Sequence, residues 1–510
     1  MANSSATADR TGVGEGVGFW LLIFMLVFAP LFRGGNRPLP LMLLELCALG
    51  LVVYVAWRPD FKTHLSRPLL VVLGALFLFP LLQFIPLPPW IWIHLPGREF
   101  YAQALGELRG DALVHGDTLE GWRAASLIPY QTQYAWLALL PPVTVFVVAA
   151  GLSTQRLWTL LMLFIGVSTC QAVLGLIQYG DGPDSLFRLG NFAMGGNASG
   201  TYVNRNHLAG LLEMALPVTL ALLAATVGRA DQAYHPQRRQ RSLRRRVAEW
   251  VSSVQINSAA LYSAAAIAIL LGLILTRSRA GVALAMLAIL LCTVLFSRRL
   301  GGRNAYGLIG TFTAIGIGLA LEIGLVPVLD RFAAKDPLED SRLTIYSSVL
   351  QAIGQFFPVG SGSGTFADVY RRFQPADISG FVNRAHNDYL EWMLEGGLIT
   401  AGLLLVLFVF YLRQWSKVWT FAIWTPFRFA QVGAGIALLL MLLHSIVDFN
   451  LHIPANAVYF AFLAALFFHR YEEATAPTEF KRSKRKTDHE AASAEARKLP
   501  PENAINPFAD

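Results

Sequence analysis

A histidine in a long polar stretch is the residue of this 510-residue sequence that is best placed for acid–base chemistry. His386 is followed by Asn387, a favoured helix N-cap, and by Asp388, which suits a first turn, so a helix is predicted to begin here. The positive end of a helix favours a neutral imidazole, which can act as a general base. A histidine that only hydrogen-bonds across the loop explains the spacing equally well.

One arginine is a candidate for binding an anion. Arg279 lies in a tight turn, and Ser278 before it can cap the helix that follows. The free N–H groups of a helix start beside a guanidinium form a site that suits phosphate. A side chain that only reaches the membrane interface is the alternative, and it accounts well for Arg277.

A second arginine, Arg342, opens a predicted amphipathic helix over residues 341–357. Its apolar residues recur at helical spacing and predict a face that rests on the membrane or on a helical bundle. These residues lie at positions 343, 346, 350, 353 and 357. Pro358 should end the helix. Arg342 would face the same surface as Arg279, and an ion pair with Asp336 or Asp340 is the alternative.

Polar residues also lie at the ends of apolar runs. Asn204, Arg205, Asn206 and His207 lead directly into one run. Such residues are costly there unless they line a cavity, and capping explains only one asparagine. Asn387 is a further candidate for this cavity. The segment from His444 to Asp448 is explained equally well by packing and by a cavity lining.

Several familiar motifs are missing from the sequence. The glycine-rich stretch 360–364 lacks the preceding strand and the lysine of a phosphate loop, which favours a flexible hinge. No Asp-x-Asp pair, His-Glu-x-x-His motif or serine nucleophile elbow occurs. A hydrolytic triad and a metal-bound nucleotide sugar are therefore disfavoured, and neither a metal nor a cofactor is predicted.

The elements that must position these residues are apolar helices. The chain is 55% hydrophobic and 15% charged, with a mean hydropathy of +0.48. Apolar runs of about 16 to 22 residues recur along it, which is typical of an all-α, polytopic transmembrane bundle. A β-barrel would show shorter alternating segments. The predicted spans, about twelve, are 17–33, 39–57, 68–86, 134–152, 157–178, 207–228, 258–276, 280–297, 305–327, 396–413, 429–447 and 454–470.

The basic loops orient these spans. Placing the Arg-rich loop 229–257 in the cytoplasm puts both termini there and leaves every short basic loop on the same side. The loops 87–133 and 328–395 then lie on the outer side, the second with predicted amphipathic helical structure. The net charge of +8 comes largely from such clusters, so nucleic acid is not a predicted partner.

In their order along the chain, these segments resemble the O-antigen ligase and polymerase superfamily of bacterial inner-membrane glycan transferases. The resemblance covers about residues 125 to 470. The segments that carry it are Gly200–Pro217, Ser278–Gly281, Ser341–Gly362, Ala385–Gly397 and His444–Asp448.

The resemblance implies a reaction and a role for each candidate residue. The donor would be a glycan on undecaprenyl diphosphate, presented at the periplasmic face, and the acceptor would be a lipid A core or another glycan. Arg279 matches the arginine of the family's Ser-Arg-Gly-like turn and Arg342 matches that of its loop helix; both are implied to hold the diphosphate. His386 matches the loop histidine implied to activate the acceptor hydroxyl, with no metal required.

The implied organisation is a cytoplasmic N-terminus (1–16), a transmembrane glycan-transferase domain (17–470) and a disordered cytoplasmic tail (471–510). An O-antigen ligase-like transfer to lipid A core is the main hypothesis. An O-antigen or exopolysaccharide polymerase is the alternative within the superfamily. A flippase or transporter of lipid-linked glycans belongs to another class. It would explain the spans but not an outer loop that contains both Arg342 and His386.

Overall fold

Apolar helices make up most of the fold. A computed structural model describes residues 5–58, 60–108, 121–189, 195–232, 258–300, 337–420 and 424–470, with the single positions 310, 314 and 318. Over these residues the regular secondary structure is helical apart from one pair of two-residue strands, β1 and β2. The predicted all-α class is confirmed.

The helices are numbered here in chain order. The first eight are α1 Ser5–Leu31, α2 Pro38–Ala56, α3 Arg67–Leu82, α4 Pro89–Trp92, α5 Glu99–Leu108, α6 Pro129–Ala150, α7 Thr154–Asp181 and α8 Arg205–Gln232. The others are α9 Ser258–Leu275, α10 Arg279–Leu300, α11 Pro337–Phe356, α12 Phe366–Tyr370, α13 Asp388–Trp419, α14 Pro426–His444 and α15 Pro454–Phe468. Strands β1 Pro86–Leu87 and β2 Arg123–Ala124 pair antiparallel. Short 3-10 turns cover Arg33–Gly35, Leu186–Arg188 and Asn450–His452.

Eight of these helices are long and apolar enough to cross a membrane, which makes the chain a membrane protein. They are α2, α6, α7, α8, α9, α10, α13 and α14. Shorter apolar helices coincide with three more predicted spans, at Gly16–Leu31, Arg67–Leu82 and Pro454–Phe468. The ninth predicted span, 305–327, falls almost wholly outside the described residues, as do most of loop 229–257 and the tail 471–510. The count of twelve spans therefore stays a prediction.

Helix α8 forms the centre of the bundle. Nearly all residues of its membrane segment Arg205–Thr226 are buried inside the protein, as are most residues of α14. Glycines allow the close approach: a Cβ on Gly433 of α14 would lie 2.9 Å from the Pro217 carbonyl of α8. A Cβ on Gly281 of α10 would lie 2.7 Å from the Ala209 Cβ of α8. Small residues at such contacts are typical of packed membrane helices.

The two loops that were predicted on the outer side pack together at one end of the bundle. They form what we call the loop layer, residues 86–108, 121–128 and 337–387. The Leu127 N–H donates to the Ser361 carbonyl at 2.9 Å. The buried Arg98 guanidinium donates to the carbonyls of Gly360 and Ala125, and thereby joins the two loops. The two loops thus lie at the same end of the bundle, and the side of the membrane that this end faces stays a prediction.

Helix α11 confirms the predicted amphipathic helix but uses a different face for its packing. The side chains buried in the loop layer are those of Ile345, Val349, Ala352 and Phe356. Three of the predicted face residues, Leu343, Leu350 and Phe357, are 73%, 56% and 48% exposed. Of the two predicted partners of this face, the bundle is not in contact with these three positions, and the membrane surface stays a prediction. The helix has two apolar faces. The predicted face is open at these three positions, as contact with a membrane surface would require, while its other two residues, Tyr346 and Ile353, pack against the loop layer.

The glycine-rich stretch 360–364 is a packed turn, so the hinge interpretation is wrong. The Ser361 and Gly362 N–H groups donate to the carbonyls of Leu394 and Glu395, both at 2.9 Å. A Cβ on Gly360, where φ is +88°, would lie 2.5 Å from the Glu395 carbonyl. These glycines are needed because the backbones approach closely, and the turn fixes α13 to the loop layer.

Candidate functional site

Several helices begin where the loop layer meets the bundle, and the candidate base lies just before one of them, α13. The Asn387 side chain accepts from the Leu390 N–H at 3.0 Å, which confirms it as the N-cap. The helix then continues into a predicted span through a break at Gly397, where φ is 57°. His386 therefore lies just before a helix that joins the loop layer to the membrane.

The imidazole of His386 faces a buried carboxylate. Its Nδ1 lies 3.1 Å from Oδ1 of Asp448, and the two side chains are 27% and 1% exposed. His386 has a positive φ of 52°, a left-handed conformation that is uncommon for a residue with a Cβ. Its carbonyl accepts from the Tyr346 hydroxyl of α11 at 2.7 Å, which holds this backbone in place.

Donors surround the carboxylate of Asp448. Oδ1 also accepts from the Phe449 N–H at 2.9 Å, and Oδ2 accepts from Asn206 Nδ2 at 2.6 Å. Burial alone would raise the pKa of Asp448. The hydrogen bond from His386 and the nearby positive groups outweigh that effect and hold this pKa well below its usual range.

This contact fixes the tautomer of the histidine. An ionised carboxylate can only accept hydrogen bonds, so Nδ1 of His386 must carry the hydrogen. The partly exposed ring then has Nε2 as the nitrogen that can accept a proton. A carboxylate that orients a histidine in this way is the arrangement of a general base.

Arg342 reaches the same carboxylate from α11. Its Nη1 donates to the Val447 carbonyl at 3.0 Å, and its Nη2 lies 3.9 Å from Oδ2 of Asp448. The side chain is partly exposed. The structure thus places Arg342 beside the candidate base and gives it Asp448 as an ionic partner. Asp336, suggested as an alternative partner, lies outside the described residues.

Arg279 begins α10. The Ser278 hydroxyl accepts from the Gly281 N–H at 3.3 Å, which confirms the predicted cap. The close approach of Gly281 to Ala209 packs this helix start against the first turns of α8. Arg277 is held elsewhere: its guanidinium lies 5.4 Å from the centre of the Tyr179 ring and donates to the hydroxyl of that ring.

The four polar residues at the start of α8 have different roles. The Asn204 side chain caps the helix by accepting from the Asn206 N–H at 2.9 Å. Asn206 then donates to Asp448. His207 is buried, and its ring packs edge-on against Phe449, which also contacts the His386 ring. Arg205 is partly exposed beside them. Asn206 thus joins the cluster directly and His207 packs beneath it.

Sequence reasoning gave no role to several charged residues around His386. The buried Glu391 accepts from Arg384 Nη1 at 2.5 Å and from the Ala385 N–H at 3.0 Å. His452 contacts both Glu391 and Asp388. An acidic residue at the end of an apolar run is a signal that could have identified Asp448, because such residues are costly without a function.

The arrangement suits proton transfer next to an anion. A histidine with a fixed tautomer lies beside Arg342, and a second arginine begins a helix packed on the same part of α8. Among the described residues, no group of three or more His, Cys, Asp or Glu side chains could hold a metal ion. The residues present can accept a proton from a hydroxyl and offer guanidinium groups to a phosphate.

Part of the chain matches a known protein family. Residues 264–406 match the family model described as O-Antigen ligase. The matched segment includes Arg279, Arg342 and His386, and confirms the resemblance that the motifs predicted. Asn206 and Asp448 lie outside it and reach it through the contacts above. No curated protein matches the chain.

Proposed function

We propose that this protein transfers a glycan from undecaprenyl diphosphate to an acceptor hydroxyl. The match of residues 264–406 to the O-antigen ligase family model supports this proposal. The acceptor is the lipid A core, and the site faces the periplasm from the bacterial inner membrane, with both termini in the cytoplasm. The observation that carries this proposal is the contact between His386 and Asp448, which leaves Nε2 of a partly exposed histidine able to accept a proton.

In the proposed step, Nε2 of His386 takes the proton of the acceptor hydroxyl. The acceptor oxygen forms a bond with the anomeric carbon of the donor sugar. The bond between that carbon and the diphosphate oxygen breaks, and undecaprenyl diphosphate leaves with the electron pair. A displacement of this kind inverts the anomeric configuration.

Two arginines stabilise the leaving group in this proposal. Arg279 and Arg342 bind the diphosphate, whose negative charge grows as the bond breaks, and fixed cations are most effective against a charge that develops in the transition state. In this proposal Asn204, Arg205, Asn206 and Asn387 surround the donor, and His207 packs beneath them. The step uses only charges and a base from the chain itself.

Loss of the base is the first test. We expect His386→Ala, expressed in a deletion strain, to restore no glycan transfer while reaching normal membrane levels. Lipopolysaccharide gels and an assay of undecaprenyl diphosphate release measure the effect. His94→Ala is the matched control, because His94 is an exposed histidine of the loop layer. Normal transfer by His386→Ala would remove the proposed base.

The deletion strain also identifies the acceptor. Loss of all glycan-capped lipid A, with donor accumulating on the periplasmic leaflet, supports the ligase. Products that carry a single repeat unit indicate a polymerase, and donor retained on the cytoplasmic leaflet indicates a flippase. Either of these two results would contradict transfer to the lipid A core.

The phosphate role is tested by Arg279→Lys. A lysine is a point charge and cannot offer the two parallel N–H donors of a guanidinium. We expect release of undecaprenyl diphosphate to slow by about 100-fold, as when one transition-state donor is removed. Arg277→Lys is the control, since Arg277 packs on Tyr179. Equal rates for the two variants would assign Arg279 to the membrane interface instead.

A further inference from the structure

His452 lies between two buried carboxylates. Its Nδ1 is 2.6 Å from Oδ1 of Asp388 and its Nε2 is 3.2 Å from Oε1 of Glu391. Both carboxylates have no exposed side-chain surface. Glu391 also accepts from Arg384 and from a backbone N–H, as an ionised group does. Because an ionised carboxylate can only accept hydrogen bonds, a position between two of them requires a hydrogen on each ring nitrogen, which is the imidazolium form of histidine.

These two carboxylates anchor the backbone on both sides of His386. Glu391 holds the preceding residue by accepting from the Ala385 N–H. On the other side, the Asp388 N–H donates to the Ser445 carbonyl at 2.9 Å, while its side chain meets His452. A residue with a positive φ keeps that conformation only where its surroundings fix it, and these contacts do so.

The same histidine connects the segment that carries Asp448. His452 lies four residues after Asp448, in the 3-10 turn Asn450–His452. The Leu451 N–H beside it donates to Oδ2 of Asp388 at 3.3 Å. His452 therefore links the segment with the base to the segment with the carboxylate that orients this base.

We propose that His452 is a positioning residue, which as an imidazolium holds His386 against Asp448 and whose loss of a proton sets the alkaline limit of glycan transfer. This inference rests on the proposed function for the role of His386. A neutral His452 can donate to only one of its two carboxylates, so the other would face a lone pair and move away.

The charges that face His452 favour its protonated form. Burial by itself would lower the pKa of His452, and the Arg384 guanidinium acts in the same direction. The carboxylates of Glu391 and Asp388 outweigh both effects and raise this pKa above its usual value. A raised pKa stabilises the folded site at pH values below the unfolded pKa. That contribution is lost as pH rises through the folded pKa.

The kinetic test compares the pH dependence of wild-type protein and His452→Gln, both full-length and in detergent. The donor is the undecaprenyl-diphosphate glycan extracted from the deletion strain, and release of undecaprenyl diphosphate is measured. Wild-type activity should fall at alkaline pH. A glutamine amide can still donate but does not titrate, so His452→Gln should be slower, by up to about 100-fold for a displaced catalytic group, without that alkaline fall.

A merely structural role would lower the rate and leave the shape of the pH profile unchanged. An alkaline fall that persists in His452→Gln would therefore overturn the proposal. His94→Gln is the matched control, because His94 is exposed and lies near the Trp90 carbonyl. It should keep both the rate and the pH profile of the wild type.

A second measurement does not depend on activity. In protein labelled with ¹⁵N-histidine, NMR should show both nitrogens of His452 protonated at neutral pH, with the signal assigned by its loss in His452→Gln. A neutral ring would contradict the imidazolium. Active His386→Ala would remove the proposed function but leave this spectrum unchanged, so the two failures are distinguishable.

Discussion

Two imidazole–carboxylate pairs lie close together in this protein and have similar distances between nitrogen and oxygen. His386 approaches Asp448 at 3.1 Å, and His444 approaches Glu213 at 2.9 Å. Both carboxylates are buried. The imidazoles differ, because 27% of the His386 side chain is exposed and only 1% of that of His444.

This difference in exposure separates a reactive pair from a structural one. His444 ends α14 and contacts Glu213 of α8, so this pair joins two helices inside the bundle. No substrate hydroxyl can reach a ring that is closed in this way. His386 instead lies in the loop layer, where one ring nitrogen is held and the ring remains accessible. The hydrogen bond alone therefore does not identify a base; access to the ring does.

Of the variants that test this difference between the two pairs, Asp448→Asn is expected to lower the rate of glycan transfer the most. Oδ1 of Asp448 faces donors from His386 and Phe449, and Oδ2 faces Asn206. A carboxamide has an oxygen that accepts and an NH₂ group that donates. In either orientation, its NH₂ group would therefore face another hydrogen-bond donor. If its NH₂ group faces His386, the ring adopts the wrong tautomer, which costs roughly 10⁴-fold in a comparable histidine–carboxylate pair.

The measurement is the rate of undecaprenyl diphosphate release per folded molecule, with circular dichroism to confirm that the helices remain. A rate within a few-fold of the wild type would show that Asp448 does not set the tautomer. His386 would then lose its distinction from His444.

The local parts of this site could be predicted from the sequence. Ser278 and Asn387 were identified as caps because a cap depends only on residues within one helical turn. The apolar helices followed from hydropathy, which is also local. The pairing of His386 with Asp448 joins residues 62 positions apart, and Asn206 reaches Asp448 across 242 positions. Such contacts depend on how the helices pack, and no short pattern specifies them.

Helix α11 shows a second limit of prediction from sequence. Its periodicity identified the helix, but the helix carries two apolar faces. Phe356 packs into the loop layer while Leu343 and Leu350 remain exposed. Hydropathy cannot choose between two such faces, since a membrane surface and a protein core both favour apolar side chains. The partner of each face depends on how the two segments of the loop layer pack together.

A smaller effect on glycan transfer is expected when the structural pair of His444 and Glu213 is changed. Glu213→Ala leaves Nδ1 of His444 without its buried partner, and breaking a buried pair from one side costs about 3 to 5 kcal/mol of unfolding free energy. Glu213→Gln keeps an oxygen that accepts from Nδ1, so we expect it to cost only about 1 kcal/mol. Melting temperatures in detergent should follow this order, with rates per folded molecule near that of the wild type. Replacing the carboxylate by a carboxamide would thus greatly lower the rate of glycan transfer in Asp448→Asn and change it little in Glu213→Gln. A Glu213→Gln variant that folds normally but transfers slowly would place the buried pair in the reaction, and exposure of the ring would no longer distinguish the two pairs.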